Sequence, residues 1–139
     1  MKLPRRCVVF VDDQAHWLRS MAPAFEDEAR VYLYTSPLEA LEQVPKRRPE
    51  AVVLASRMAH ASGAQVARAL KRRLGDRCPR LVLLVEPDER PTEADRALFA
   101  EVHVKPLERR TLCAILARAA QAAAFERRVA PPALERLVG

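Results

Sequence analysis

Five short apolar runs punctuate the chain, at residues 7–11 (CVVFV), 31–34 (VYLY), 51–54 (AVVL), 81–85 (LVLLV) and 102–104 (VHV). They are rich in β-branched residues and lack the in–out alternation of a half-exposed sheet, so they read as strands buried on both faces. Between them the apolar positions recur at helical spacing. Trp17, Leu18, Met21 and Phe25 place a helix over 14–28, with Pro23 as an expected kink or shortening point. Ser36, Pro37 and Glu39 supply an N-cap, a first-turn proline and a capping-box acid for a second helix with Leu38, Leu41 and Val44 inward. Ser62 caps a third over 63–74, whose core side is Val66, Ala69, Leu70 and Leu74. Thr92 and Asp95 open a short fourth with Ala94, Leu98 and Phe99 inward. A fifth spans 107–128 on Leu112, Ile115, Leu116, Ala119 and Ala123, and Pro131-Pro132 ends it.

Strict alternation of buried strands and helices predicts an α/β domain with a parallel sheet between two helical layers. Right-handed crossovers make the doubly wound, flavodoxin-like (βα)5 arrangement with strand order 2-1-3-4-5 the leading topology. The domain is expected over 1–128, and 129–139 reads as a C-terminal tail or linker.

Composition narrows the function classes. No apolar stretch approaches the ~20 residues that a membrane span requires, and the basic–apolar start is cut off by Asp12-Asp13, unlike a signal peptide. Cys7, Cys78 and Cys113 are odd in number and far apart, which fits neither a disulfide framework nor a metal motif. These features point to a reduced, cytoplasmic protein. The net charge is +6, but the basic residues look dispersed along an Ala- and Arg-rich chain, so direct nucleic-acid binding is not expected. The Lys46-Arg47-Arg48 and Lys71-Arg72-Arg73 runs read as solvated helix ends favoured by the helix dipole.

In doubly wound folds, ligands and chemistry sit at the carboxyl ends of the strands. After the first strand stand Asp12 and Asp13, adjacent carboxylates that repel unless a cation compensates them; Asp13 alternatively caps the next helix. At the end of the third strand stands Ala55, which can do no chemistry. No nucleophile–base pair, glycine-rich phosphate loop or metal motif appears, so an autonomous enzyme is not supported. His16 reads as exposed or capping. A metal site from Asp13, His60 and His103 fits no ligand spacing.

Taken together, Asp12-Asp13 after strand one, the stretch PEAVVLASRMAHASG around strand three and Lys105-Pro106 after strand five resemble the receiver domain of bacterial two-component response regulators, over about residues 6 to 122. The resemblance implies an acidic pair at Asp12 and Asp13, a phosphate-neutralising lysine at Lys105, a candidate cis bond at Lys105–Pro106, and a metal-facing backbone carbonyl at Arg57. It also implies a phosphoacceptor position at Ala55, a hydroxyl position at Leu84 (Val85 if the register slips by one) and a switch-aromatic position at Val102. None of the last three keeps the residue type that phosphorylation uses. The expectation is a pseudo-receiver in two-component or phosphorelay signalling, with weak or absent Mg²⁺ binding and no other cofactor. Ser56 and Ser62 are poor substitute acceptors: the residue after a strand's last inward position faces the other way, and Ser62 is a cap.

The resemblance implies partners among signalling proteins: a histidine kinase, an effector or another regulator. It also implies a homodimer face built from helix four, strand five and helix five, with Arg109, Arg110 and Arg118 as its candidate contacts. The alternative is a regulatory domain of a larger regulator whose output segment is absent from this chain.

Overall fold

A computed structural model describes residues 6–14, 16, 19, 23 and 25–129. Five strands, β1 (Arg6–Val11), β2 (Ala29–Tyr34), β3 (Ala51–Ala55), β4 (Arg80–Val85) and β5 (Glu101–Val104), form one parallel sheet in the order β2-β1-β3-β4-β5. The doubly wound reading is therefore correct, with each strand one or two residues longer than its apolar run. The helices are α1 (Pro37–Arg47), α2 (Gly63–Leu74), α3 (Glu93–Arg96) and α4 (Arg109–Val129). Of the helix expected over 14–28, His16, Arg19, Pro23 and Phe25 have helical backbone. Trp17, Leu18 and Met21, expected in its core face, lie outside the described residues, as does the tail from 130.

Side-chain alternation along the strands divides the core in two. Val8, Phe10, Val53, Val82 and Leu84 face one side, where Phe25 stacks on Phe10 and α4 contributes Leu112, Ile115, Leu116 and Ala119. Val9, Val11, Val52, Leu54, Leu83 and Val85 face the other, against Ala40 and Val44 of α1 and Val66, Ala67 and Leu70 of α2. All five residues of β3 are at most 1% exposed. At about 1.5–3 kcal/mol per fully buried Val or Leu, this central strand is the strongest single anchor of the sheet.

Helix ends follow the local signals. Ser36 Oγ accepts from Glu39 N at 3.3 Å, and Ser62 with Gln65 forms a reciprocal capping box. α1 closes on Arg48 in the left-handed region at φ 49°, its N–H bonded to Val44 O, and α2 closes on Gly75 at φ 54°. A left-handed arginine costs roughly 1 kcal/mol, whereas Gly75, with positive φ but ψ −124°, takes a conformation that only the lack of a Cβ makes easy.

Three helical details differ from the periodicity reading. Leu38 is 75% exposed, and Ala40, two residues on, takes its place in the core. In α2, Ala67 is buried while Ala69 is only partly covered. Ala94 faces solvent: α3 is a single turn, too short to lay a stripe on the sheet, so Phe99 beyond it supplies the buried contact.

Candidate functional site

The carboxyl ends of β1, β3, β4 and β5 converge on a small polar cluster. Asp12, immediately after β1, is 2% exposed and is the buried charged residue of the described core. Its Oδ2 lies 2.8 Å from Lys105 Nζ, and its Oδ1 accepts from Gln14 N at 2.9 Å. Lys105 follows β5, is fixed by its N–H to Val85 O, and reaches Glu86 Oε1 at 3.1 Å as well. Desolvation works against the ammonium, but the bonds to Asp12 and then to Glu86 outweigh it, so the Lys105 pKa lies above its ordinary value. The Lys105–Pro106 peptide bond is cis.

Asp13 Oδ2 reaches across to accept from Ala59 N at 2.5 Å, pinning the loop after β3; its expected role as a cap of the following helix falls on a segment that lies largely outside the described residues. The adjacent acids therefore divide their work: Asp12 pairs with the lysine and Asp13 holds a backbone amide.

Ala55 is 1% exposed and lies on the same side of the sheet as Phe10 and Leu84, its partner in register on β4. Val85 packs into the opposite core, so of the two hydroxyl-position candidates Leu84 is the one that shares a face with Ala55. Val102 on β5 is partly buried and packs with Leu83 and Val85. The loop after β3 closes tightly on the strand. A Cβ on Gly63 would sit 2.5 Å from Ala55 O, so only glycine fits at the start of α2.

Two acids of the loop after β4 complete the cluster. Glu86 is the second partner of Lys105. Glu89 Oε1 accepts from Glu86 N at 3.1 Å and from the Ser56 hydroxyl, while Glu89 Oε2 lies 3.6 Å from Arg57 Nε. The loops after β3 and β4 are thus joined through one carboxylate. The signal was present in the sequence as acids directly following an apolar strand, but several acids share that loop and spacing could not say which turn inward.

The fold resembles solved receiver domains. Its TM-score is 0.73 to a CheY-like response regulator receiver domain from Methylobacillus flagellatus, at 18% identity over 84% of this chain and 99% of that one. It is 0.74 to the signal receiver domain of an HD domain-containing protein from Pseudomonas fluorescens Pf-5, at 17% identity over 92% and 96%. It is 0.73 to FixJ-N, at 20% identity over 86% and 96%. No protein-family model matches the chain, and no curated protein matches it in sequence. The chain has the receiver fold.

Receiver domains are associated with a divalent cation at this position, which makes the donor set worth testing. Both Asp12 oxygens and one of Asp13 already accept bonds from protein donors, a methyl group stands at 55, and Lys105 brings a positive charge to the centre. No group of three metal-ligating side chains occurs among the described residues. Mg²⁺ demands an octahedral oxygen shell, and these residues do not fit one.

The three arginines singled out on the last helix divide. Arg118 bonds Glu101 of β5, and Arg109 pairs with Glu28 at 2.7 Å, so both fasten α4 to the body of the fold. Arg110 is 89% exposed, with only a 3.5 Å contact to Glu108. Glu101 also holds His103 at 3.0 Å and Arg80 at 3.3 Å. Desolvation alone would raise its pKa, but the bonds from Arg118, His103 and Arg80 push it down to about 2. His60 and His16 are exposed, and His103 is committed to Glu101. Among the described residues, no helix is long and apolar enough to cross a membrane.

Proposed function

We propose that the chain is a receiver-fold signalling module that acts through protein–protein contacts and performs no phosphoryl transfer of its own. The observation that carries this reading is the buried Ala55 methyl at the carboxyl end of β3, beside a lysine already committed to Asp12 and Glu86. A phosphoacceptor must be a nucleophile, and alanine is none. Placing a carboxylate there would add a like charge near Asp12, worth about 3 kcal/mol per pair at ~5 Å and an effective dielectric of ~20. The alanine removes that repulsion and with it the need for a metal. Ser56 adjoins the position, but its hydroxyl is engaged by Glu89.

The Glu89 contacts support a fixed output state. A carboxylate of the chain itself joins the loops after β3 and β4, which a transient phosphate would otherwise have to draw together. The module works constitutively in the cytoplasm, in contact with a histidine kinase, an effector or another regulator. Its face of α3, β5 and α4 offers Arg110 and the 54% exposed Val104 for such a partner or for a second copy. A second reading, a regulatory domain within a larger regulator, is favoured by one structural neighbour being the receiver domain of an HD domain-containing protein.

Incubation with a small-molecule phosphodonor and millimolar Mg²⁺, followed by intact mass measurement, tests the central claim. The expected spectrum is that of the untreated chain. A stable gain of about 80 Da, one phosphoryl group with its added charge, overturns it. Calorimetric titration with Mg²⁺ is expected to show no binding below millimolar concentration.

A further inference from the structure

The sequence carries the triplet Lys-Arg-Arg twice, at 46–48 and at 71–73. Along the chain the two look unrelated. In the fold each forms the carboxyl-terminal turn of a helix, α1 or α2, and both helices run antiparallel to the strands on the same side of the sheet. Both triplets therefore lie at the amino end of the sheet, opposite the Asp12–Lys105 cluster. α1 and α2 touch directly: Arg73 Nη1 donates to Leu41 O at 3.1 Å. The register continues the alignment. Ala51 pairs with Arg80, which sets Arg48 and Arg77, each three residues earlier, at the entrances of adjacent strands.

All six side chains of the triplets are exposed, and among the described residues none is ion-paired to a carboxylate. Arg47 is held by Tyr34 Oη at 3.1 Å and lies over the Tyr32 ring, and Arg73 is held by Leu41 O. Lys46, Arg48, Lys71 and Arg72 carry no such bond. Acids share this end as well. Glu50 is partly buried, Asp76 is exposed beside Arg77, and Glu126 of α4 lines the same cleft as Lys71. Asp27 and Glu28 precede β2 and Glu101 opens β5, with Glu28 taken by Arg109 and Glu101 by Arg80 and Arg118. Elsewhere on the molecule arginines meet acids, as Arg68 meets Asp95 and Arg109 meets Glu28. The six triplet cations are the ones that the fold gathers at a single place.

We infer that this end of the fold is an anion-binding surface for the phosphate backbone of duplex DNA, a function separate from the signalling reading. Two basic helix ends, with axes about 8–10 Å apart, match the spacing of phosphates across a groove of roughly 6–12 Å. Arginine predominates in the triplets, and its forked guanidinium suits phosphate oxygens. No exposed large apolar residue lies among the six: Leu38 and Val104 are at the opposite end of the sheet and Phe125 is on the opposite face. A protein partner would call for an apolar interface core, and a membrane for an apolar face to insert. The Tyr32 ring is already covered by Arg47, so no stacking platform for single strands is offered either. Recognition through phosphates alone is independent of sequence.

The test is fluorescence anisotropy of the full chain on a labelled duplex of arbitrary sequence, across 50 to 200 mM salt. Six phosphate contacts give a slope of log K against log salt near about −5, a loss of roughly 10³ in affinity over that range. The variant K46Q/K71Q/R72Q is expected to bring the slope to about −3 and weaken binding at 50 mM salt at least ~10-fold. The variant R19Q/R90Q/R96Q removes the same charge from exposed positions elsewhere and should stay within about twofold of the parent; circular dichroism verifies that both are folded. Equal losses in the two variants would show a net-charge effect and overturn the site. So would absent duplex binding at 50 mM salt, stronger binding to phosphatidylserine vesicles, or equal competition by polyglutamate.

Discussion

At the carboxyl end of the sheet, Asp12, Glu86 and Lys105 are drawn into contacts of 2.8 and 3.1 Å, and Glu89 fastens two loops together. At the amino end, Lys46, Lys71 and Arg72 stand in solvent with no carboxylate bonded to them among the described residues. Both ends are dense in charge. The difference lies in desolvation: a buried carboxylate must find its counter-charge within the fold, while an exposed helix-end cation needs only water and the helix dipole. Internal pairing satisfies the charges of the first region within the fold. The second contributes little to stability and leaves its charge available.

The largest effect should come from Lys105→Met, which strands the buried Asp12 carboxylate. Breaking such a pair costs about 3–5 kcal/mol, measurable by urea unfolding near neutral pH; a loss below about 1 kcal/mol would mean that Asp12 is satisfied without the lysine. Because the folded Lys105 pKa is raised, its contribution in the parent is present at neutral pH. It fades as pH climbs past the ordinary lysine range through the folded value.

Next comes Glu101, whose pKa falls from 4.5 to about 2 on folding. A depressed carboxylate stabilises above its unfolded value and loses that contribution as pH falls from 4.5 toward 2. The shift corresponds to about 2–3 kcal/mol. Glu101→Gln should therefore cost that much at pH 6 and almost nothing near pH 2, with Arg118, His103 and Arg80 losing their common partner. A pH-independent difference would assign the loss to packing.

Glu89→Gln is a smaller change, about 1 kcal/mol for weakened bonds to Ser56, Arg57 and the Glu86 amide. Its diagnostic is local: amide exchange over 86–92 should accelerate several-fold while β3 is unaffected. Unchanged exchange would remove Glu89 as the tie between the loops. Smallest of all, K46Q/K71Q/R72Q should shift stability by less than about 0.5 kcal/mol. A larger loss would show that the amino-end cations are structural after all, and would collapse the contrast between the two ends.

The parts of the fold that were readable share one property: their signal is local. β3 and β4 announce themselves because five consecutive apolar residues have few alternatives to burial, and Ser36 and Ser62 cap their helices through bonds only three residues long. The apolar stripes were readable only to within a position. Leu38 and Ala94 have helical spacing and yet face solvent, because which side of a helix meets the sheet is set by tertiary packing and by the helix's length. Among site residues, Asp12 and Ala55 could be located at strand ends, and the resemblance added Leu84 and Lys105. Glu86 and Glu89 could not, since an acid in a loop gives no local sign of which way it turns.

By itself, then, the sequence determined the alternation of elements and the identity of the residue at each strand end, which follow from burial periodicity and short-range capping, and it pointed to the order of the sheet through the handedness of the crossovers. Tertiary structure alone decided which charges meet. Asp12 and Lys105 are brought together by a parallel sheet that aligns carboxyl ends. Arg118 of α4 is spent on Glu101 at the start of β5, a residue 17 positions away in the chain. The two Lys-Arg-Arg triplets, which looked dispersed along the chain, are collected at one end because helices returning between parallel strands must all finish on the same side. Coulomb interaction depends on distance in space, and separation along the chain carries almost no information about it until the topology is set.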